Sequence, residues 1–446
     1  MKHLDLTKDT TRKLFFHYLL PSISATLVTS IYILADSIMI GKGVGPDGIA
    51  ALNIVLPLFT LFFGTGLLFG VGGSVLMSIA NGSNNPLLGK QYFTTAVFSV
   101  TFLSILLLVV IQLAFEPILY FLGATSVTFT LASEYGRILV AGAPVFMFSA
   151  LLQAFIRNDK DPNLSMIGVV VGGVSNIILD YIFIYKFHWG MRGGAIATVI
   201  GSSLTCLILL VHFFKKTNQL KLVKHGFSMK RLGKVVSSGL SSFLIEISNG
   251  IVTFLFNIQL VKYIGDIGIT VYSIIANSSF IVMSLANGVA QASQPILAVN
   301  FGAGKQKRVG EVKRLGIITT TIIGSIIVAL GILFPGVITG MFVHATDEIL
   351  SLSIPAIRMY IIAFLFMNLN IFISSYFQAV MIPQYALGIN LLRGLILSSA
   401  FVLILPLFIG ANGIWIAMPI VEIISFTTAM VLNYKAKNLV ITKVIK

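Results

Sequence analysis

Four polar side chains stand out against an apolar background: Asp36, Asn176, Asp180 and Thr198. Each lies inside a long hydrophobic run, where an unpaired charge costs several kcal/mol and marks a functional site by default. Two carboxylates, an amide oxygen and a hydroxyl make an all-oxygen set. Such a set can hold Na⁺, or it can share one proton between two carboxylates that repel each other. A second group, Glu246, Arg393 and Glu422, lies deep in three later runs, ~14–18 Å from the nearest span start at ~1.5 Å of rise per residue. An ion pair or triad there would offset the cost of burial, and a structural pair and a counter-charge for a cation or drug are both open readings. Glu134 is a further charge within a span, and Arg137 and Arg358 fall near outer helix ends, where long side chains can reach the interface.

The elements that must carry these residues are membrane helices. Of 446 residues, 57% are hydrophobic and 10% charged, against about 25% charged in a soluble domain. Residues 51–79 and 92–115 contain no charge at all, and about 20 such residues cross a bilayer. Charged or Gly/Pro-rich breaks divide the chain into twelve spans, roughly 14–40, 49–80, 91–115, 131–157, 163–185, 193–214, 234–262, 268–300, 310–334, 350–380, 384–408 and 412–434. The first 13 residues are polar, so no cleavable signal is expected. The fold class is therefore all-α and polytopic. Several spans carry Pro or Gly clusters that permit bending or close approach, among them Pro21, Pro57 and the run from Gly64 to Gly73.

The net charge of +15 does not point to nucleic acid, because the bases sit where short membrane loops would be. With the N-terminus inside, 23 of the 30 Lys and Arg fall in inside segments, and only Lys42, Lys186, Arg192 and Lys262 fall opposite. Both termini are expected on the cytoplasmic side of the inner membrane. Seven of the bases lie in 215–234, read as a solvated linker between two halves.

The chain also repeats itself. Gly45, Asn81 and Gly190 align with Gly265, Phe301 and Gly410 at an offset of 220, and Arg137 with Arg358 at 221. Each half then holds six spans with one topology, as parallel transporter repeats do. Residues 1–225 form the N-terminal lobe with the linker, and 226–446 the C-terminal lobe. The same offset puts Phe256, Ile396, Ala400 and Met418 opposite Asp36, Asn176, Asp180 and Thr198. By helical rise those four polar residues lie within roughly 6–15 Å of the outer boundary. The second half has lost every polar member, an asymmetry that favours function over scaffold. The 34 Phe and 14 Met suit a broad apolar cavity that repacks around varied ligands.

At this point the chain resembles the multidrug and toxic compound extrusion (MATE) family over nearly its whole length. The segment from Asp36 to Leu52 has the family's Asp, Gly, then Ala-Ala pattern, followed by a helix with Pro57. The segment from Gly288 to Gly304 has its Gln-Pro, Asn, Gly-Ala signature before a basic cluster, and the pattern looks most like the branch with MepA and DinF proteins. The resemblance implies two six-helix lobes around a central cleft and export of small cationic or amphipathic compounds. It also implies coupling to inward Na⁺ or H⁺ and a monomer without cofactor. It assigns the coupling role to Asp36, Asn176, Asp180 and Thr198, and in some members to a span-7 Glu, matched by Glu246, with a span-10 Asp. Span 10 has no acid between Tyr360 and Ala379.

The function expected is a cation-coupled antiporter. The alternative is a lipid-linked precursor flippase of related architecture, which needs a strongly cationic cavity, and Arg393 is the one deep basic candidate. A major-facilitator transporter would carry a Gly-Asp-Arg-type loop after span 2, which 81–90 does not. An intramembrane enzyme is not expected. The lone Cys206 offers no metal cluster, and His3, His17, His188, His212, His225 and His344 show no ligand spacing.

Overall fold

In the computed structural model, the structure describes residues 5–343 and 346–445, with the side chains of all but 249, 254, 266 and 437–445. Lys2, His3, His344 and Lys446 therefore lie outside the described residues, as do the side chains of Lys437 and Lys443. All regular structure among the described residues is helical.

The first set of helices is α1 (Thr11–Gly43), α2 (Pro46–Gly82), α3 (Pro86–Leu113), α4 (Phe115–Phe121), α5 (Phe129–Ala141), α6 (Ala143–Asn158), α7 (Pro162–Asp180) and α8 (Gly190–Leu210). The second is α9 (Met229–Tyr263), α10 (Asp266–Gly302), α11 (Gln306–Leu333), α12 (Pro335–Phe342), α13 (Asp347–Tyr360), α14 (Ala363–Ala379), α15 (Pro383–Leu391), α16 (Leu397–Ile409) and α17 (Ala411–Ile445). Prolines open α2, α3, α7, α12 and α15, where a missing N–H costs nothing and the fixed φ suits the first turn. Asn85 and Asp161 cap α3 and α7 by accepting from Leu88 N and Leu164 N at 3.1 and 3.3 Å.

Among the described residues ten helices or helix runs are long and apolar enough to cross a bilayer, and two bent pairs bring the number to twelve when each is one span. Those pairs are α5 with α6, bent by 53°, and α13 with α14, bent by 40°. They correspond to expected spans 4 and 10, so the break recurs at the same place in both halves. The repeat is visible in the backbone too. Left-handed φ values occur at Gly45 and Gly265, at Asn84 and Gly304, and at Gly190 and Gly410, each pair 220 residues apart. The twelve-helix, two-lobed reading holds.

Packing divides the chain into two compact units, Met1–Thr7 with Leu20–Ile247, and Lys8–Leu19 with Ser248–Lys446. The division falls within α1 and within α9 rather than in the linker. In the first unit α2 packs against α6, where a Cβ on Gly66 would stand 2.6 Å from the Met147 carbonyl oxygen. Helices α7 and α8 meet as closely: a Cβ on Gly172 would lie 2.6 Å from Gly201 O, and one on Gly201 would lie 2.9 Å from Asn176 Cβ. Small residues let the backbones approach, and that approach sets Asn176 beside the next helix.

Candidate functional site

The α7–α8 approach brings two of the four expected residues into contact. Asn176 Nδ2 donates to Thr198 Oγ1 at 3.4 Å, and Thr198 Oγ1 donates in turn to Gly194 O at 3.0 Å. Asp180, one turn beyond Asn176, is fully buried and ends α7, where the backbone loosens into a π-helical turn, Tyr181–Lys186. Such wide turns often mark functional positions. Asp36 comes from α1 and lies near enough to Asp180 for the two carboxyls to interact. All four residues therefore gather in the first unit, towards the end where α7 finishes and α8 begins.

The cluster is short of positive charge. Asp36 Oδ1, Asn176 Oδ1 and both oxygens of Asp180 are buried without a hydrogen-bond partner. Among the described residues no base forms an ion pair with either carboxylate. Buried acceptors normally find donors, and these oxygens have the chemistry to accept a proton or a hard cation.

Tyr135 was not singled out by the sequence. Its hydroxyl lies 3.4 Å from Asp36 Oδ2, towards which it donates, and its ring packs at the position of Gly194. A lone Tyr on α5 carries no pattern that would have marked it. Beside the cluster a partly open pocket lies inside the first unit. Asn176 and Thr198 line it together with Tyr32, Phe59, Phe63, Phe146, Ser149 and Gln153. Phe59 stacks on Phe63 at 5.9 Å and meets Phe146 edge-on at 5.3 Å, so part of one wall is aromatic.

Two of the equivalent positions of the second unit, Phe256 and Met418, serve packing. Phe256, the counterpart of Asp36, is fully buried and stacks on Tyr272 at 4.7 Å. Met418, the counterpart of Thr198, packs against the same apolar core.

The deeper charges separate. Arg393 and Glu422 form a buried pair, with Nη2 to Oε1 at 2.6 Å, and Asn370 Nδ2 donates to Glu422 Oε2 at 2.7 Å. Arg393 lies in a second π-helical turn, Leu392–Ile396. Among the described residues Glu246 forms no ion pair; it packs in the first unit, where a Cβ on Gly64 would lie 3.5 Å from its Cβ. Glu134 pairs with Arg192 at 3.1 Å, and Arg137 with Glu116 at 3.5 Å.

The MatE family profile matches residues 21–182 and again 242–404, two copies that together cover most of the chain. The chain belongs to the MatE family. This is a family of transporters and not of enzymes, and the expected resemblance is thereby established. Two relatives are both called multidrug export protein MepA. That of Staphylococcus saprophyticus is 25% identical over 440 residues, covering 97% of this chain and 95% of its own. That of Staphylococcus aureus is 26% identical over 448 residues with the same coverage.

Solved structures agree on the fold. An outward-facing multidrug resistance MATE transporter superposes with a TM-score of 0.92 at 23% identity, covering 99% of both chains. A Pyrococcus furiosus transporter, whose binding pocket of reverse polarity was taken to indicate a different function, gives 0.90 at 23% identity, covering 100% of this chain and 99% of its own. At these identities the likeness is one of fold.

Proposed function

We propose that this MatE transporter exports small cationic or amphipathic compounds in exchange for an inward-moving cation, Na⁺ or H⁺, bound at Asp36, Asn176, Asp180 and Thr198. One observation carries the reading: the first unit holds facing buried carboxylates with orphan oxygens and no base, beside a partly aromatic cavity. A partly aromatic pocket beside two acids suits a cationic, planar ligand, and two MepA relatives are named as multidrug exporters. The same carboxylates suit the coupling cation. Both ligands draw on the same negative charge, so binding of one disfavours the other, as exchange requires.

The cation must bind one conformation more tightly than the other, because equal affinity shifts nothing. Moving a conformational equilibrium from 1:99 to 99:1 takes a roughly 10⁴-fold difference in affinity. Two facing carboxylates can supply such a difference, since a small change in their separation changes their repulsion steeply in a low-dielectric site.

The excess of Lys and Arg in the linker and the α10–α11 turn supports the proposed orientation, with both termini on the cytoplasmic face of the inner membrane. The flippase reading loses support, because Arg393 is already neutralised by Glu422.

The test is dye efflux from proteoliposomes under separately imposed Na⁺ and pH gradients. Efflux driven by one gradient and abolished in Asp36→Asn is expected. Full gradient-driven efflux in Asp36→Asn removes the assignment.

A further inference from the structure

Between α8 and α9 the chain does not run free. Gln219 N donates to Asp159 Oδ2 at 2.8 Å, Val223 N to Thr94 Oγ1 at 3.1 Å, and Gly226 O accepts from Thr95 Oγ1 at 3.0 Å. His212 and Lys215 fasten its beginning to Asp159 and Asp161, and Arg231 closes its end on the Gly226 and His225 carbonyls. The segment 215–231 is therefore a strap fixed to the first unit.

What the strap presents outward is unusual for a solvated loop. No acid occurs between Asp180 and Glu246. Lys216, Lys221, Lys224 and Lys230 are exposed, and among the described residues none has an acidic partner. Between them Leu222, Phe227 and Met229 are 59%, 44% and 74% exposed. A topology signal needs only charge. It needs neither a pinned backbone nor apolar side chains held out among the lysines. The other basic turn differs: there Arg308 turns inward to Asn300, and Lys313 to Asn433 and the Tyr376 ring.

We infer that the strap 215–231 is a docking surface for anionic phospholipid headgroups, its lysines meeting the phosphates and Leu222 and Phe227 entering the acyl boundary. Lysines beside an apolar face are how protein segments recognise an anionic leaflet, with about five-fold in affinity per base near the surface. A fixed strap loses no chain entropy on binding, so lipid would hold the first unit at a set depth. The inference rests on the proposed orientation only for which leaflet the strap meets.

Leu222→Trp in the full chain, reconstituted in symmetric vesicles, reads this directly and does not depend on transport or orientation. The vesicles are phosphatidylcholine and phosphatidylglycerol mixtures with one lipid brominated, and the parent chain subtracts Trp189 and Trp415. Brominated phosphatidylglycerol is expected to quench about twofold or more over brominated phosphatidylcholine at equal mole fraction. The excess should vanish in high salt and when Lys216, Lys221, Lys224 and Lys230 are all changed to Gln. Equal quenching by both lipids, or by neither, overturns the inference. Phe227→Trp gives the same reading from the strap's other end should Leu222→Trp fail to insert.

Discussion

Arg393 grips Glu422 with two groups, Nη2 to Oε1 at 2.6 Å and Nε to Oε1 and Oε2 at 3.1 and 3.2 Å. Asn370 adds a donor to the same carboxylate. The second unit thus balances its buried acid, whereas the first leaves Asp36 and Asp180 without a base.

Breaking a buried pair strands the remaining charge, at ~3–5 kcal/mol, while replacing both partners with apolar groups is often neutral. Arg393→Leu should therefore lower the thermal midpoint in detergent sharply, and Arg393→Met with Glu422→Leu should recover most of the loss. A single variant as stable as the parent would show that the pair bears no charge burden.

The unbalanced acids make the opposite prediction. In ion-free alkaline buffer the facing carboxylates cost the fold energy, so Asp180→Asn should raise stability by on the order of 1–3 kcal/mol. Adding the coupling ion stabilises the parent by mass action, about 2.7 kcal/mol at one hundred times its Kd. The Asp36→Asn and Asp180→Asn double variant should not respond. Thermal midpoints taken against Na⁺ and against pH would name the ion. An equal response in the double variant would place the ion elsewhere.

Much of the site was legible because burying charge in lipid is expensive, so Asp36 and Asp180 stood out from sequence alone. Helical rise gave their depth, and the 220-residue offset showed Phe256 and Ala400 in their place. Tyr135 and Asn370 were not legible, since each acts through one contact made across helices far apart in sequence. The π-helical turns beside Asp180 and at Arg393 leave no pattern in side-chain types. His212 lacks any ligand spacing, yet folding brings it between Asp159 and Asp161 at 2.8 and 3.0 Å.

That loop gives a pH prediction. Burial pushes the Asp161 carboxyl up, but hydrogen bonds from His212 and Lys215 outweigh it and hold the carboxyl below its usual value. A folded-state pKa below the unfolded one contributes stability above the usual carboxylate range, lost as pH falls through the lowered value. Asp161→Asn, which keeps the α7 cap, should therefore be less stable than the parent at neutral pH. The gap should close below about pH 4. A gap that stays constant into acid would assign the loss to packing rather than to charge.

The tightest backbone approach in the first unit sits where α9 crosses α2. A Cβ on Gly239 would fall 1.9 Å from the Leu68 carbonyl oxygen, and one on Gly72 would fall 2.2 Å from Val235 O. Neither carbonyl can move without breaking its helix, so Gly239→Ala must push the two helices apart. Overpacking of this kind costs ~1–3 kcal/mol. Gly233, six residues earlier on the same helix, has nothing within 4 Å of its would-be Cβ. Gly233→Ala should be neutral or stabilise by up to ~1 kcal/mol, because alanine favours the helix. Thermal midpoints of the two variants should therefore move in opposite directions or differ by several degrees. If both behave alike, α9 does not rest on α2 in the protein as purified.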